Sequence, residues 1–320
     1  MQHIGFGLWN WIAVIVYLVA MLLVGAYFTK RASQDTDSFF KASGRLPSWA
    51  IGFSIYATTL SAITFMSTPE KAFLTDWAYI AGNIAIVAII PILIAFYVPF
   101  FKKLHVTSAY EYLEARFGPS IRLIGSLLFI IFHLGRIAIV IYLPTLAITA
   151  VSDINPYIVA SLVGILCILY TFLGGFEGVV WSDFIQGVIL LGGALLIIII
   201  GAFEIKGGFG TIVHDAIANK KILSVDNWKL NSAAAAIPII FLGNIFNNLH
   251  QYTASQDVVQ RYQASESMEE TKKSLWTNGV LALISAPIFY GMGTMMYSFY
   301  QHQETLPKGF NTSSIVPYFI

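Results

Sequence analysis

Eight stretches of this chain are long and apolar, with few charges: residues 9–28, 47–68, 77–101, 121–150, 157–173, 183–203, 233–250 and 275–300. A helix needs about 20 such residues to cross the hydrocarbon core of a bilayer. Of 320 residues, 57% are hydrophobic and 11% charged, whereas an ordinary soluble domain carries about 25% charged residues. The mean hydropathy is +0.72. Too little polar surface exists to solvate a globule of this size, so the solvent is lipid and the chain reads as an all-α polytopic membrane protein. A net charge of +1 without a clustered basic face argues against a nucleic-acid partner. The single cysteine, Cys167, excludes an intrachain disulfide. No Lys or Arg precedes the first run, which therefore lacks the basic start of a secretory signal and reads as a retained span.

Basic residues sort the connections into two sides. One set holds Lys30, Arg31, Lys41, Arg45, Lys102, Lys103, Arg116, Arg122, Arg261, Lys272 and Lys273. The other holds Lys71, Lys206, Lys220, Lys221, Lys229 and Lys308, four of them in one long loop, which counts for less. The first set is expected to be cytoplasmic and the N-terminus outside. The connection around LGGFEGVVW carries no basic residue and is placed only by parity. Two cytoplasmic segments read as surface helices without chemistry. In TSAYEYLEARFG, Ser108 and Glu111 have capping-box spacing and Gly118-Pro119 supplies the stop. The other is SQDVVQRYQASESMEETKK.

Ionisable groups inside spans are costly, and few occur here. Arg136 stands near the middle of its 30-residue run, where insertion scales put an Arg at roughly 2.5–3.5 kcal/mol unfavourable before it finds a partner. Asp183, the acidic residue assigned to a span, sits at the cytoplasmic end of its helix, so Arg136 is expected to lack a carboxylate at its own depth. Two readings follow. Arg136 bonds backbone carbonyls and water, or its planar guanidinium faces a cavity and receives an anionic ligand bidentately; the second is preferred. His133, one turn earlier, reads as a hydrogen-bonded packing residue or a proton carrier. Asn244, Asn248 and Gln251 make a polar stripe that serves interhelical bonding or a ligand equally well.

The segment ATTLSAITFMS carries Thr58, Thr59, Ser61, Thr64 and Ser67. At about 100° per residue these hydroxyls encircle the helix axis instead of forming one stripe. The segment is therefore enclosed by protein, or lines a cavity, or is locally unwound. Broken helices at mid-membrane are where transporters bind substrates and coupling ions. Hard, neutral oxygen ligands suit Na⁺ better than a transition metal. The sequence has no P-loop, HExxH, paired-cysteine motif or nucleophile–base arrangement, so an enzyme is not expected.

YTFLGGFEGVVWSDFIQG (170–187) resembles the signature of the sodium:solute symporter family, and TASQDVVQRY (253–262) resembles that family's second cytoplasmic motif. With ATTLSAITFMS, TSAYEYLEARF and FHLGRIAIVIYL, the likeness is greatest to the bacterial sialic acid (N-acetylneuraminate) transporters of that family. The resemblance implies a LeuT-type inverted-repeat fold, incomplete in this chain: one extra helix and about seven of ten core helices. In that frame residues 1–46 hold the extra helix and a cytoplasmic loop, and 47–203 form the first five-helix repeat. Residues 204–232 form an extracellular loop, and 233–320 open a second repeat that is expected to continue beyond Ile320. The resemblance further implies Na⁺-coupled symport of sialic acid in a bacterial inner membrane.

Carried over by position, the substrate carboxylate falls on Arg136, Ser61 and Thr64, with Thr59 nearby. Tyr79 and Asn83, where the family carries Phe and Gln, line the site from the second core helix, and the shorter Asn83 would make room for a water. Sodium falls on the carbonyls of Ala57 and Leu60, and a second sodium on Asp183, whose alternative role is a structural hydrogen bond near a helix end. Gly178 stands where many members have Ala or Ser. The eighth core helix, which would complete both sodium sites, is expected beyond residue 320, so the 320 residues alone are not expected to transport. Two other readings stay open: a Na⁺ symporter for another carboxylate, such as an amino acid or sugar acid, and a membrane sensor built on the same fold. Oligomeric state is not legible.

Overall fold

The computed structural model describes residues 7–60, 62–104, 108, 110–152, 154–229 and 236–320. Among these the chain is helical and contains no β-strand. Its helices are α1 (Leu8–Ala32), α2 (Thr36–Lys41), α3 (Ser48–Thr59), α4 (Ala62–Leu74), α5 (Ala81–Ile92), α6 (Val98–Leu104) and α7 (Glu111–Phe117). Then follow α8 (Pro119–Val151), α9 (Pro156–Glu204), α10 (Gly208–Ala218), α11 (Ile237–Ala254), α12 (Gln256–Ala264), α13 (Met268–His302) and α14 (Ile315–Phe319).

The eight expected spans map onto these helices with informative differences. The first is α1. The second is broken: α3 ends at Thr59, and the chain resumes as α4, which runs through Pro69 to Leu74. The third runs through a 3₁₀ turn (Ala78–Ile80), α5, a π turn (Leu93–Tyr97) and α6. Pro91 lacks an N–H, so the regular ladder is interrupted one turn upstream of that widened stretch. Two spans expected as separate helices with a polar link form the 49-residue α9. At 1.5 Å per residue α9 is about 73 Å of helix, far more than the ~30 Å of hydrocarbon one crossing needs. Its turn is Gly175 alone, at φ 56° and ψ −157°. The expected span 233–250 falls on α11, which carries Asn244, Asn247, Asn248 and Gln251 and is not among the helices apolar enough by themselves to cross a bilayer. The long connection expected at 204–232 contains α10 and a 3₁₀ turn at Val225–Trp228.

Large apolar side chains remain exposed along these helices, Phe172 to 73% and Phe203 to 86%. Surfaces of that kind demand an apolar solvent.

Contacts sort the chain into two compact units. Unit 1 comprises Met1–Thr59, Ile92–Ile185 and Gln251–Thr277; unit 2 comprises Leu60–Pro91, Gln186–His250 and Asn278–Ile320. All eleven basic residues of the first set fall in unit 1, and all six of the second set in unit 2. The grouping made on charge is thus repeated by packing.

Within unit 1, glycines let helices touch. A Cβ on Gly25 would lie 2.9 Å from the Tyr170 Cα, and one on Gly174 3.1 Å from the Gly25 Cα. Arg31 reaches from α1 to Glu177, 2.8 Å away and buried just past the Gly175 turn. This pair ties the LGGFEG connection to the end of α1 that carries Arg31. Trp49, Phe53, Trp181 and Phe184 pack edge to face between α3 and α9. The TSAYEYLEARFG helix forms as α7, and the Ser108 hydroxyl accepts from the Tyr110 N–H at its start. The segment expected as a second surface helix is different in kind: in α12, Val258, Val259, Arg261 and Tyr262 are buried.

In unit 2, Ala72, Ala286 and Tyr290 form one buried cluster, with Trp77, Tyr79 and Ile80 packed against them. Trp77 donates from Nε1 to Thr294 Oγ1 at 2.8 Å. In the same unit Asp215 accepts from Ser298 and lies 2.9 Å from His302 Nε2.

Candidate functional site

The last four carbonyls of any helix have no intrahelical donor. In α3 that turn ends at the break, in a segment otherwise buried from Ala50 to Tyr56. Thr58 and Thr59 turn their hydroxyls back to the carbonyls of Ser54 and Tyr56, each at 2.7 Å. The Thr58 carbonyl is met by Arg136, whose Nη2 donates to it at 2.9 Å. A guanidinium at a helix C-terminus also lies favourably in the helix dipole.

Arg136 does have a carboxylate, contrary to the expectation from the spans. Its Nη1 lies 3.3 Å from Asp257 Oδ2. Asp257 comes from α12, outside the apolar runs, so a search confined to spans missed it. The same Oδ2 accepts from Gln251 Nε2 at 3.4 Å and lies 3.9 Å from His133 Nε2. His133 directs its other nitrogen to the Phe129 carbonyl and stacks on the Phe129 ring.

Four residues further along α12, Arg261 reaches the second ion. Its Nη2 lies 3.0 Å from Asp183 Oδ2 and its Nε donates to Ser54 Oγ at 2.9 Å. Ser54 in turn donates to the same Asp183 oxygen at 2.5 Å. Arg261 Nη1 donates to the Asp257 backbone carbonyl, and the guanidinium lies 5.8 Å from the centre of the Phe176 ring. Arg261 is only 6% exposed, and a charge so placed is tolerated because it is paired and each of its three nitrogens has a hydrogen-bond partner. Asp183 does not stand at a helix end: it is two turns past Gly175 within α9. Glu177, two residues past Gly175, is a second acidic residue of this helix that hydropathy alone assigned to a loop.

The site residues expected from sequence divide between the units. Ala57, Thr59, Arg136 and Asp183 belong to unit 1, with Ala57 and Thr59 in the last turn of α3. Leu60, the next residue, belongs to unit 2 with Thr64, Tyr79 and Asn83. Ser61 lies outside the described residues. Thr64 is half-buried in the first turn of α4. Tyr79 is on the 3₁₀ turn with Lys71 Nζ 4.6 Å from its ring centre, and Asn83 donates to the Ala282 carbonyl at 3.3 Å. Asp257 and Arg261 were missed because an acid and a base at i, i+4 read as a within-helix surface pair. The signal available was complementarity: the chain's two in-span ions each needed an opposite charge, and this motif holds one of each sign.

Comparison with known proteins adds three findings. A model of the sodium:solute symporter family matches residues 39–314. The chain is 46% identical over its whole length to the sodium/sialic acid symporter SiaT of Proteus mirabilis, and 46% to the sodium/sialic acid symporter NanT of Aliivibrio fischeri. It spans 64% and 63% of those two relatives. A solved structure of a substrate-bound, outward-open Na⁺-coupled sialic acid symporter superposes with a TM-score of 0.94 at 46% identity, covering 98% of this chain and 67% of that one. The fold is therefore the LeuT-like helical fold of that symporter, in a multi-pass membrane protein.

Proposed function

The chain belongs to the sodium:solute symporter family, and from that premise we propose that it serves a secondary active transporter that couples inward Na⁺ movement to sialic acid uptake by alternating access. One observation carries the reading. At the break between α3 and α4, Arg136 holds a backbone carbonyl and a carboxylate at once. A guanidinium so placed is a receptor for the carboxylate of an acidic sugar. Thr59, Ser61 and Thr64 supply hydroxyls from the broken segment, and Tyr79 and Asn83 contact the sugar.

The coupling ion is cargo, like the sugar. The carbonyls of Ala57 and Leu60 and the carboxylate of Asp183 are the oxygen donors offered to Na⁺. They are hard ligands in a segment where the helix leaves its last carbonyls available. Each Na⁺ entering down the membrane potential contributes about 2.3 kcal/mol per 100 mV, before its concentration gradient is counted. Residues 1–46 act as an accessory helix and loop, 47–203 as the first repeat, 204–232 as an outer loop, and 233 onward as part of the second repeat. The protein resides in a bacterial inner membrane with its N-terminus outside, and it transports without covalent chemistry.

Reciprocal linkage requires that Na⁺ tighten substrate binding. Calorimetry on the intact protein with N-acetylneuraminate, with and without Na⁺, tests this; sodium-independent affinity would refute coupling. Arg136→Ala should weaken binding at least about 30-fold, and Arg136→Lys nearly as much, since an ammonium cannot make the bidentate contact. A second substrate reading stays beside it, because the resemblance implies Phe and Gln where this chain has Tyr79 and Asn83. Another carboxylate solute would then fit the same guanidinium, and competition by unlabelled sugar acids and amino acids separates the two.

A further inference from the structure

Asp257 and Arg261 are four residues apart on one nine-residue helix, yet their side chains are not paired with each other. An acid and a base at this spacing normally meet along the helix surface. Here Asp257 crosses to Arg136 at 3.3 Å, and Arg261 crosses to Asp183 at 3.0 Å. Both are inside, with the Asp257 side chain 18% and that of Arg261 7% exposed. Placing two opposite charges inward on one short helix is costly unless each has a dedicated partner. The partners are the residue read above as the substrate's anchor and the residue read above as a sodium ligand.

We propose that α12 carries built-in stand-ins for both cargoes: Asp257 takes the place of the substrate's carboxylate on Arg136, and Arg261 takes the place of a sodium ion on Asp183. The proposal rests on the reading of Arg136 and Asp183 under the proposed function. The charges match sign for sign. The surroundings match as well, because Asp257 Oδ2 is ringed by a guanidinium, the Gln251 amide and His133 Nε2, a buried nitrogen without a hydrogen-bond partner. That is a carboxylate receptor with a carboxylate in it. Ser54, which donates to Asp183 and accepts from Arg261, likewise offers its oxygen to whichever cation is present.

Cargo and stand-in cannot occupy one place together, so loading and α12 docking exclude each other. Because one helix bears both stand-ins, displacing one loosens the other. Substrate and Na⁺ are thereby coupled through α12 without touching. The stand-in also lowers apparent affinity: a pair that holds Arg136 in about nine molecules of ten weakens binding about tenfold.

The test uses intact protein in lipid nanodiscs with N-acetylneuraminate and Na⁺ as probes. Asp257→Asn should bind N-acetylneuraminate about tenfold more tightly at a fixed Na⁺ concentration, and Arg261→Gln should reach half-saturation at lower Na⁺. A merely structural role predicts the opposite sign. Unchanged or weaker affinity in either variant overturns the proposal, provided Arg136→Ala weakens binding at least about 30-fold. Should Arg136→Ala keep the unmodified affinity, the reading of the site fails instead. If a variant does not fold, hydrogen exchange on the unmodified protein decides: residues 256–264 should exchange faster when both cargoes are bound, and equal or slower exchange overturns the idea.

Discussion

Gly52 is where α3 meets the start of α13, and adding one methyl group there has a calculable effect. A Cβ at this position would lie 2.6 Å from Thr277 Cβ and 3.0 Å from Ser274 Cα, and would strike the Ser274 carbonyl oxygen. Ordinary carbon contacts are about 3.5–4.0 Å, so α3 and α13 must separate by several tenths of an ångström or more. Two of the three obstructing atoms are backbone, which leaves no rotamer to yield. Separation also pulls on the bond from Ser274 Oγ to the Ser48 carbonyl, 2.9 Å long. Overpacking of this kind costs about 1–3 kcal/mol, while Ala in place of Gly in a helix returns about 1 kcal/mol. Gly192→Ala on α9 is the matched control, since nothing lies within 4 Å of a Cβ there. The propensity gain is common to both variants, so their difference isolates the overpacking cost. Thermal unfolding in one detergent at one scan rate should place Gly52→Ala below Gly192→Ala, by about 2 °C or more per kcal/mol. If Gly52→Ala melted at or above the control, the close approach of α3 and α13 would be wrong.

Gly175→Ala should cost about 3 kcal/mol in the same melt, because its backbone region is almost exclusive to glycine and a Cβ would lie 2.9 Å from Ala32 Cβ; a neutral result would refute the single-residue turn. Arg31→Ala leaves the buried Glu177 carboxyl without its ion-pair partner and should destabilise by about 1–3 kcal/mol. Glu177→Gln combined with Arg31→Ala should recover part of that, and additive losses in the double variant would argue against the pair. Burial pushes the Asp215 carboxyl up, but hydrogen bonds from Ser298 and His302 outweigh it and hold the group below its ordinary 3.8. A depressed carboxyl contributes stability that is full above its unfolded pKa and is lost as pH falls through the folded one. Asp215→Asn should therefore flatten the loss of stability at and below pH 3.8, measured as melting temperature against pH; an unchanged acid limb would refute the assignment.

The architecture was readable because a bilayer imposes one crude demand, length of apolar helix, and the chain meets it openly. The basic residues at span ends, divided into two sets by sequence, are divided the same way between the two compact units. The broken segment was legible through Thr58, Thr59, Thr64 and their neighbours, whose angular spread no single buried stripe accommodates. What stayed hidden were partnerships made across the chain. Asp257 lies 121 positions from Arg136 and Arg261 lies 78 from Asp183, and α12 is too polar to look like an interior helix. Glu177 was hidden by the opposite error. A hydropathy window sees an acidic residue beside glycines and draws a loop, but with Arg31 as its partner the helix continues through it.

The turn at Gly175 has a practical corollary for anyone handling this protein. Two helical stretches of α9 are joined there with no spare chain, so the junction offers little for a protease to cut and no slack for an epitope tag, a fluorescent fusion or a split-protein boundary. An insertion at this point would have to push Ala32 and Phe39 aside before its own first residue found room. Reporters are better placed elsewhere, and resistance of the 174–178 stretch to digestion in opened vesicles is itself a simple sign that the turn is intact.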